Sequence, residues 1–174
     1  MISAAEFCQR VTELGVTFFT GVPDSLLKSF SAYVATNISK EAHVIAANEG
    51  NAVGLGIGHH LATGGIPLVY LQNSGIGNTV NPVLSLCDSE VYRIPMIFLI
   101  GWRGRPGEKD EPQHVKQGRV LLDMLHSMEI PSHTLTGDKQ SDWPLVETAI
   151  EHAVDNGSPS ALVVPKDTFK KYDF

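Results

Sequence analysis

Cysteine is scarce in this sequence of 174 residues, where only Cys8 and Cys87 occur. They form no CxxC pair, so neither a disulfide framework nor a thiolate metal cage organises the fold, and a reduced, cytoplasmic setting is expected. Positive charge is also in deficit. Thirteen Lys and Arg against 19 Asp and Glu leave a formal net charge of −6, the wrong sign for gripping a phosphate backbone, so no nucleic-acid partner is expected. Long apolar runs are missing too. The longest, around IPMIFLI, falls far short of the roughly 20 residues that span a bilayer, and the N-terminus has no basic-then-apolar signal pattern, so no membrane association is expected. A complete G-x-G-x-x-G, a Walker loop and a G-x-S-x-G elbow are all absent, which removes the usual dinucleotide, P-loop and serine-nucleophile readings. His59 and His60 are neighbours that point in different directions on a helix, and no Cys/His cluster accompanies them. They are read as structural or interfacial, and no metal site is expected.

What is present is a regular alternation. Ser3 followed by Glu6 makes a capping box ahead of Phe7, Val11 and Leu14 at helical spacing. VTFFTG then reads as a strand, SLLKSFSAYVA as a helix, HVIAA as a strand and EGNAVGLGIGHHLA as a helix. IPLVYLQ, TVNPVLSLCDSE, IPMIFLI and HVKQGRVLLDMLHSM continue the alternation, and shorter repeats lead to SALVVP. Strands alternating with helices predict one domain over residues 1–174, α/β in class and doubly wound, with a mainly parallel sheet and helices on both faces. Ligands in such sheets sit beyond the carboxyl ends of the strands. That directs attention to the strand exits TGVPDS, AANEGN, QNSGIGN and GWRGRPGEKDEPQH.

Each exit supports two readings. In QNSGIGN, Gly75 and Gly77 permit close backbone approach to a ligand while Asn73, Ser74 and Asn78 offer hydrogen bonds; a plain structural turn fits the same spacing. Glu49 falls in the first turn of its helix, where the dipole favours a carboxylate. Gly50, Gly54 and Gly58 follow at i, i+4 and i+8, although each interior glycine costs a helix about 1 kcal/mol relative to alanine. A smooth stripe headed by one carboxylate suits a proton donor or acceptor for a bound ring as well as it suits helix-end complementarity. In GWRGRPGEKDEPQH, the cations Arg103, Arg105, Lys109 and His114 could form an anion pocket, or could pair with Glu108, Asp110 and Glu111 on the surface.

Together TGVPDSLLK, AANEGNAVGLGIGHHLATG, YLQNSGIGNTVNP and GWRGRPGEKDEPQH resemble the pyrimidine-binding domain of thiamine-diphosphate enzymes, and among these phosphonopyruvate decarboxylase. The likeness runs nearly end to end. Sulfopyruvate decarboxylase is a close relative of that enzyme and looks different in the Arg-rich loop. The resemblance implies that Glu49 hydrogen-bonds N1′ of the cofactor's aminopyrimidine and so promotes deprotonation of the thiazolium C2, with Asn73, Ser74, Gly75, Gly77 and Asn78 lining the pyrimidine. It implies a proton-transfer role for Asp24, whose position equally suits a helix N-cap, and substrate recognition by Ser25, Arg103, Arg105, Lys109 and His114. The implied reaction converts phosphonopyruvate to phosphonoacetaldehyde and carbon dioxide, with the sulfonate substrate as the alternative.

One departure from the family pattern is large. The Gly-Asp-Gly motif and downstream asparagine that bind Mg2+ and the diphosphate are absent, since LTGDKQ supplies only Gly137 and Asp138. The chain is therefore expected to be either a fragment or, by preference, the pyrimidine-binding subunit of a split enzyme. Its partner would be a separate diphosphate-binding chain holding most of the Mg2+ site, in an α2β2 assembly. A non-catalytic regulatory or assembly subunit is the competing class, and Glu49 counts against it.

Overall fold

The computed structural model describes residues 1–172. Helix α1, Ala4–Glu13, begins at the expected capping box, in which the Ser3 hydroxyl accepts the Glu6 backbone N–H and the Glu6 carboxylate reaches back to the Ser3 N–H. Then follow β1 Val16–Gly21, α2 Lys28–Asn37, β2 His43–Ile45, α3 Glu49–Thr63 and β3 Ile66–Gln72. The second half comprises α4 Ile76–Pro82, β4 Met96–Gly101, α5 Pro112–Ser127, β5 Ser132–Thr134, α6 Lys139–Asn156 and β6 Pro159–Val164. All six strands are parallel, in the order β2-β1-β3-β4-β6-β5.

The central strands read as continuous apolar runs because both of their faces are covered. Leu68 and Tyr70 of β3, Ile97 and Leu99 of β4, and Leu162 and Val164 of β6 pack with α1, α2 and α6. The intervening residues Val69, Leu71, Phe98, Ile100, Ala161 and Val163 pack with α3, α4 and α5. The expected doubly wound sheet, with helices on both faces, is thus what forms. Strand order reverses beside β1, so the exits of β1 and β3 diverge to opposite faces and open a crevice at the carboxyl edge.

Three local departures have identifiable causes. The helical pattern beginning at Ser25 becomes helix only at Lys28, because the Asp24 carboxylate accepts the Leu26 N–H at 3.1 Å and holds residues 25–27 in a turn. The helix expected across TVNPVLSLCDSE changes to a π-helical turn at Val83–Cys87, directly after Pro82 removes an intrahelical donor. Short repeats were the expectation near the C-terminus, yet α6 runs 18 residues, a length that the internal Pro144 obscures in the sequence.

Candidate functional site

The carboxyl edge of the sheet gathers two neighbourhoods. In the first, Asn48 caps α3 by accepting the Asn51 N–H at 2.9 Å, which places Glu49 as the first helical residue, partly exposed at the positive end of the dipole. The Asn78 side-chain amide donates to Glu49 Oε2 at 2.7 Å and leaves Oε1 without a hydrogen-bond partner among the described residues. Gly75 backs the same carboxylate so closely that a Cβ there would lie 2.4 Å from Glu49 Cδ and Oε1. Gly50 is equally constrained, since its Cβ would sit 2.7 Å from the Asn78 carbonyl oxygen, the acceptor to which Pro82 cannot donate. Glu49, Gly75 and Asn78 therefore form a glycine-walled cradle with one carboxylate oxygen left available. Gly77 lies nearby on α4 with open space where its Cβ would stand.

The second neighbourhood is built from the exits of β1, β4 and β6. Asp24 is 6% exposed, and its Oδ2 is so near the end of β4 that a Cβ on Gly101 would come within 2.0 Å of it. Its other oxygen is buried without a hydrogen-bond partner among the described residues. Burial pushes the Asp24 carboxyl up from its ordinary value, against backbone N–H donors and the charge of Arg103, which pull it down. Arg103 is engaged at each of its three side-chain nitrogens: its Nε and Nη2 grip both oxygens of Asp110 at 2.8 and 2.5 Å, and its Nη1 donates to Ser25 Oγ at 2.7 Å. That pairing holds the Asp110 carboxyl far below the usual carboxylate range. Asp110 also accepts the backbone N–H of Gly104 and of Glu111, so this carboxylate shapes the whole loop.

Asn73 joins the two neighbourhoods. Buried at 2% exposure, it accepts the Arg103 N–H at 3.0 Å and donates to the Arg103 carbonyl at 2.9 Å. Both ends of its amide are thereby used, making it a brace between the β3 and β4 exits. Ser74 is exposed and accepts from Gln72 at 2.6 Å.

The residues singled out in the sequence are thus sorted by the structure. Glu49, Gly75 and Asn78 converge, as do Asp24, Ser25 and Arg103. Ser25, Arg103 and Lys109 border a cavity of about 250 Å3. Arg105 does not line it, although it pairs at 3.2 Å with Glu108 and lies 5.4 Å over the Trp102 ring, two residues that do. His114, in the first turn of α5, does not border that cavity either. The glycine stripe also divides: Gly54 and Gly58 face open space, while Gly56, two residues from each and on the opposite face of the helix, meets Met96 and Pro67. His59 stacks on Phe18 and bonds Thr17 and Thr63, and His60 bonds the Gly65 carbonyl, which gives both histidines structural contacts. Burial raises the thiols of Cys8 and Cys87 to about 12, leaving no thiolate for chemistry.

Several participants escaped the sequence reading. Gly101 makes room for Asp24, and Gly118 lets α5 approach the backbone of Gly104, where a Cβ would come within 1.9 Å of the carbonyl oxygen. Trp102 Nε1 donates to the Gly118 carbonyl at 2.8 Å and locks the same junction. Lys166 enters the cavity wall from the exit of β6. A glycine inside an apolar helical pattern was the only available signal for Gly118, and nothing local marked Lys166.

A carboxylate at a helix start, walled by glycine and braced by an amide, thus keeps one oxygen without a hydrogen-bond partner among the described residues. The family model "Thiamine pyrophosphate enzyme, N-terminal TPP binding domain" matches residues 3–127. The chain belongs to that family. This TPP-binding domain is 42% identical over 125 residues to phosphonopyruvate decarboxylase of Streptomyces viridochromogenes, a match covering 72% of the chain but 30% of the relative. It is 30% identical over 157 residues to the sulfopyruvate decarboxylase subunit alpha of Methanococcus maripaludis, covering 90% of each. Among solved structures, the thiamine diphosphate-dependent 4-hydroxybenzoylformate decarboxylase of Rhodococcus jostii RHA1 superposes with a TM-score of 0.68 at 18% identity, covering 98% of this chain and 31% of that one. That last likeness establishes the fold. Among the described residues, no group of three or more His, Cys, Asp and Glu is placed to hold a metal, and no helix is long and apolar enough to cross a membrane.

Proposed function

We propose that this domain contributes the pyrimidine side of a thiamine-diphosphate-dependent carboxy-lyase that converts phosphonopyruvate to phosphonoacetaldehyde and carbon dioxide. The observation that carries this reading is the Glu49 cradle: a helix-start carboxylate with one oxygen held by Asn78, the other available, and Gly75 leaving no space between the wall and the acid. Glu49 would share a proton with the ring nitrogen N1′, with Gly75, Gly77 and Asn78 lining the ring. Ser74 would contribute its exposed hydroxyl, and Asn73 would fix the loop. When bound, thiamine diphosphate supplies the electron sink for carbon–carbon cleavage. Asp24, whose neutral form is favoured by burial, would hold or donate a proton near the reacting carbons. Ser25 and Lys109 would orient the anionic substrate, in a loop that Arg103 shapes through Asp110.

The chain spans about 30% of the length of the phosphonopyruvate decarboxylase it resembles, so the diphosphate and its Mg2+ require residues from elsewhere. Correspondence with 90% of an alpha subunit supports a separate partner chain, and we place this domain in a cytoplasmic α2β2 heteromer. That relative also favours a second reading, in which sulfopyruvate is the substrate; identity of 42% against 30% supports the phosphonate.

The test is decarboxylation of each substrate by the chain with thiamine diphosphate and Mg2+, alone and with a diphosphate-binding partner. Turnover of phosphonopyruvate in the mixture only, abolished in Glu49→Gln, is the expected result. An assembled, cofactor-loaded mixture that turns over sulfopyruvate alone would replace the substrate. Turnover that Glu49→Gln leaves untouched would make this a regulatory subunit, and a loaded mixture that turns over neither would sink both substrates.

A further inference from the structure

The cavity of about 250 Å3 at the exits of β1, β4 and β6 is bordered by Ser25, Trp102, Arg103, Lys109, Asp110 and Lys166 among others. Arg103 is the natural first choice for gripping an anion, yet its charge is already paired: Asp110 takes one edge of the fork and Ser25 accepts from Nη1. Lys109 and Lys166 are different. Neither makes an ion pair or a side-chain hydrogen bond among the described residues, and both are exposed at the rim of the same cavity. Lys166 is also carried on a stiff turn. Pro165 precedes it, the Thr168 hydroxyl donates to the Pro165 carbonyl at 2.9 Å, and Asp167 holds a left-handed φ of 62°.

We propose that Lys166, with Lys109, forms the subsite for the distal anionic group of the substrate, and that Arg103 is a positioning residue that shapes the loop through Asp110. This rests on the decarboxylase reading and sharpens it. Two compact, unpaired ammonium groups act as point charges and discriminate by the amount of negative charge, whereas a guanidinium fork discriminates by planar geometry. A doubly charged phosphonate gains more from such a pair than a singly charged sulfonate, and an uncharged methyl gains nothing. The subsite therefore ranks phosphonopyruvate above sulfopyruvate and both above pyruvate.

The test compares wild type, Lys166→Met and Lys40→Met, the last removing an exposed lysine distant from the cavity wall in sequence and element. Phosphonoacetate is titrated calorimetrically into the full chain, and KM and kcat are measured for phosphonopyruvate and pyruvate in the two-chain enzyme. Loss of one charge-assisted contact predicts about tenfold weaker phosphonoacetate binding and about tenfold higher KM for phosphonopyruvate in Lys166→Met. Its kcat and its KM for pyruvate should stay within about twofold, and Lys40→Met should match wild type throughout. Unchanged phosphonoacetate affinity in Lys166→Met overturns the subsite, even where wild-type turnover upholds the decarboxylase. Weakened phosphonoacetate binding in a protein that does not turn over phosphonopyruvate supports the anion subsite and overturns the assigned substrate instead.

Discussion

Replacing Gly75 by alanine isolates the contact on which the Glu49 cradle depends. An ideal Cβ at Gly75 falls 2.4 Å from Glu49 Cδ and Oε1, whereas ordinary contact begins near 3.4 Å. The carboxylate must retreat by about 1 Å, a displacement that can cost roughly 10²-fold in rate when it falls on a reacting group. Folding should hardly notice. Gly75 has φ −79°, which alanine adopts freely, and the displaced atoms are the far end of a flexible side chain, so the change in stability should lie within about 1 kcal/mol. The assay pairs urea denaturation of the chain with kcat/KM and thiamine diphosphate affinity of the two-chain enzyme. A double-mutant cycle with Glu49→Gln completes it: if alanine acts by moving the carboxylate, Gly75→Ala adds little once Glu49 is already glutamine. Wild-type kcat/KM in Gly75→Ala would refute the cradle. A stability loss above about 3 kcal/mol would show instead that Gly75 serves the core.

Gly77→Ala provides the contrast, because its Cβ would meet nothing within 4 Å; it should stabilise the chain by up to about 1 kcal/mol through helix propensity, while weakening thiamine diphosphate binding if the ring approaches α4, both read by denaturation with and without cofactor. Asp24→Asn tests the buried carboxyl. Because burial raises the folded-state value, Asp24 stabilises the fold at low pH and loses that contribution as pH rises through its elevated value. Urea midpoints should therefore favour Asp24→Asn over wild type at pH 8, with the advantage fading below about pH 4; an advantage independent of pH would sink the assignment. Gly118→Ala forces a Cβ against the Gly104 carbonyl oxygen at 1.9 Å, and rigid backbone cannot yield as a side chain does. It should destabilise by about 2 kcal/mol or more, with altered Trp102 fluorescence because the bond from Trp102 to Gly118 lies in the same junction.

How much of this was legible from the residues follows from the range of the interactions involved. The capping box at Ser3 and Glu6, the apolar strands of β3 and β4, and the placement of Glu49 at the start of α3 are set by contacts within a few residues, and the sequence displays them directly. Pairings that join one strand exit to another are not displayed. Asp110 and Glu111 are equivalent in composition, yet Asp110 alone takes the fork of Arg103, a choice fixed by the loop's return past Gly104. Gly56 and Gly58 look alike in the run GLGIGHH, but one meets the sheet and the other meets solvent, because helical phase against β3 decides which face is inward. Lys166 has no distinguishing neighbour in its own segment and acquires significance only because β6 lies beside β4.

Asn73 shows why the two neighbourhoods should behave as one site. It is the residue immediately beyond β3, two positions before the glycine that walls Glu49, and its amide clamps both backbone groups of Arg103 at the residue after Trp102. The loop that walls and braces Glu49 and the loop that frames the cavity at the β4 exit are consequently fixed to each other by one buried, fully satisfied side chain. A buried amide with both functions paired favours a single arrangement, since slipping either loop would strand a donor and an acceptor in a dry environment. On the proposed reading, in which a cofactor ring lies against Glu49 and an anionic substrate against the β4 exit, Asn73 is the rigid link that sets their separation.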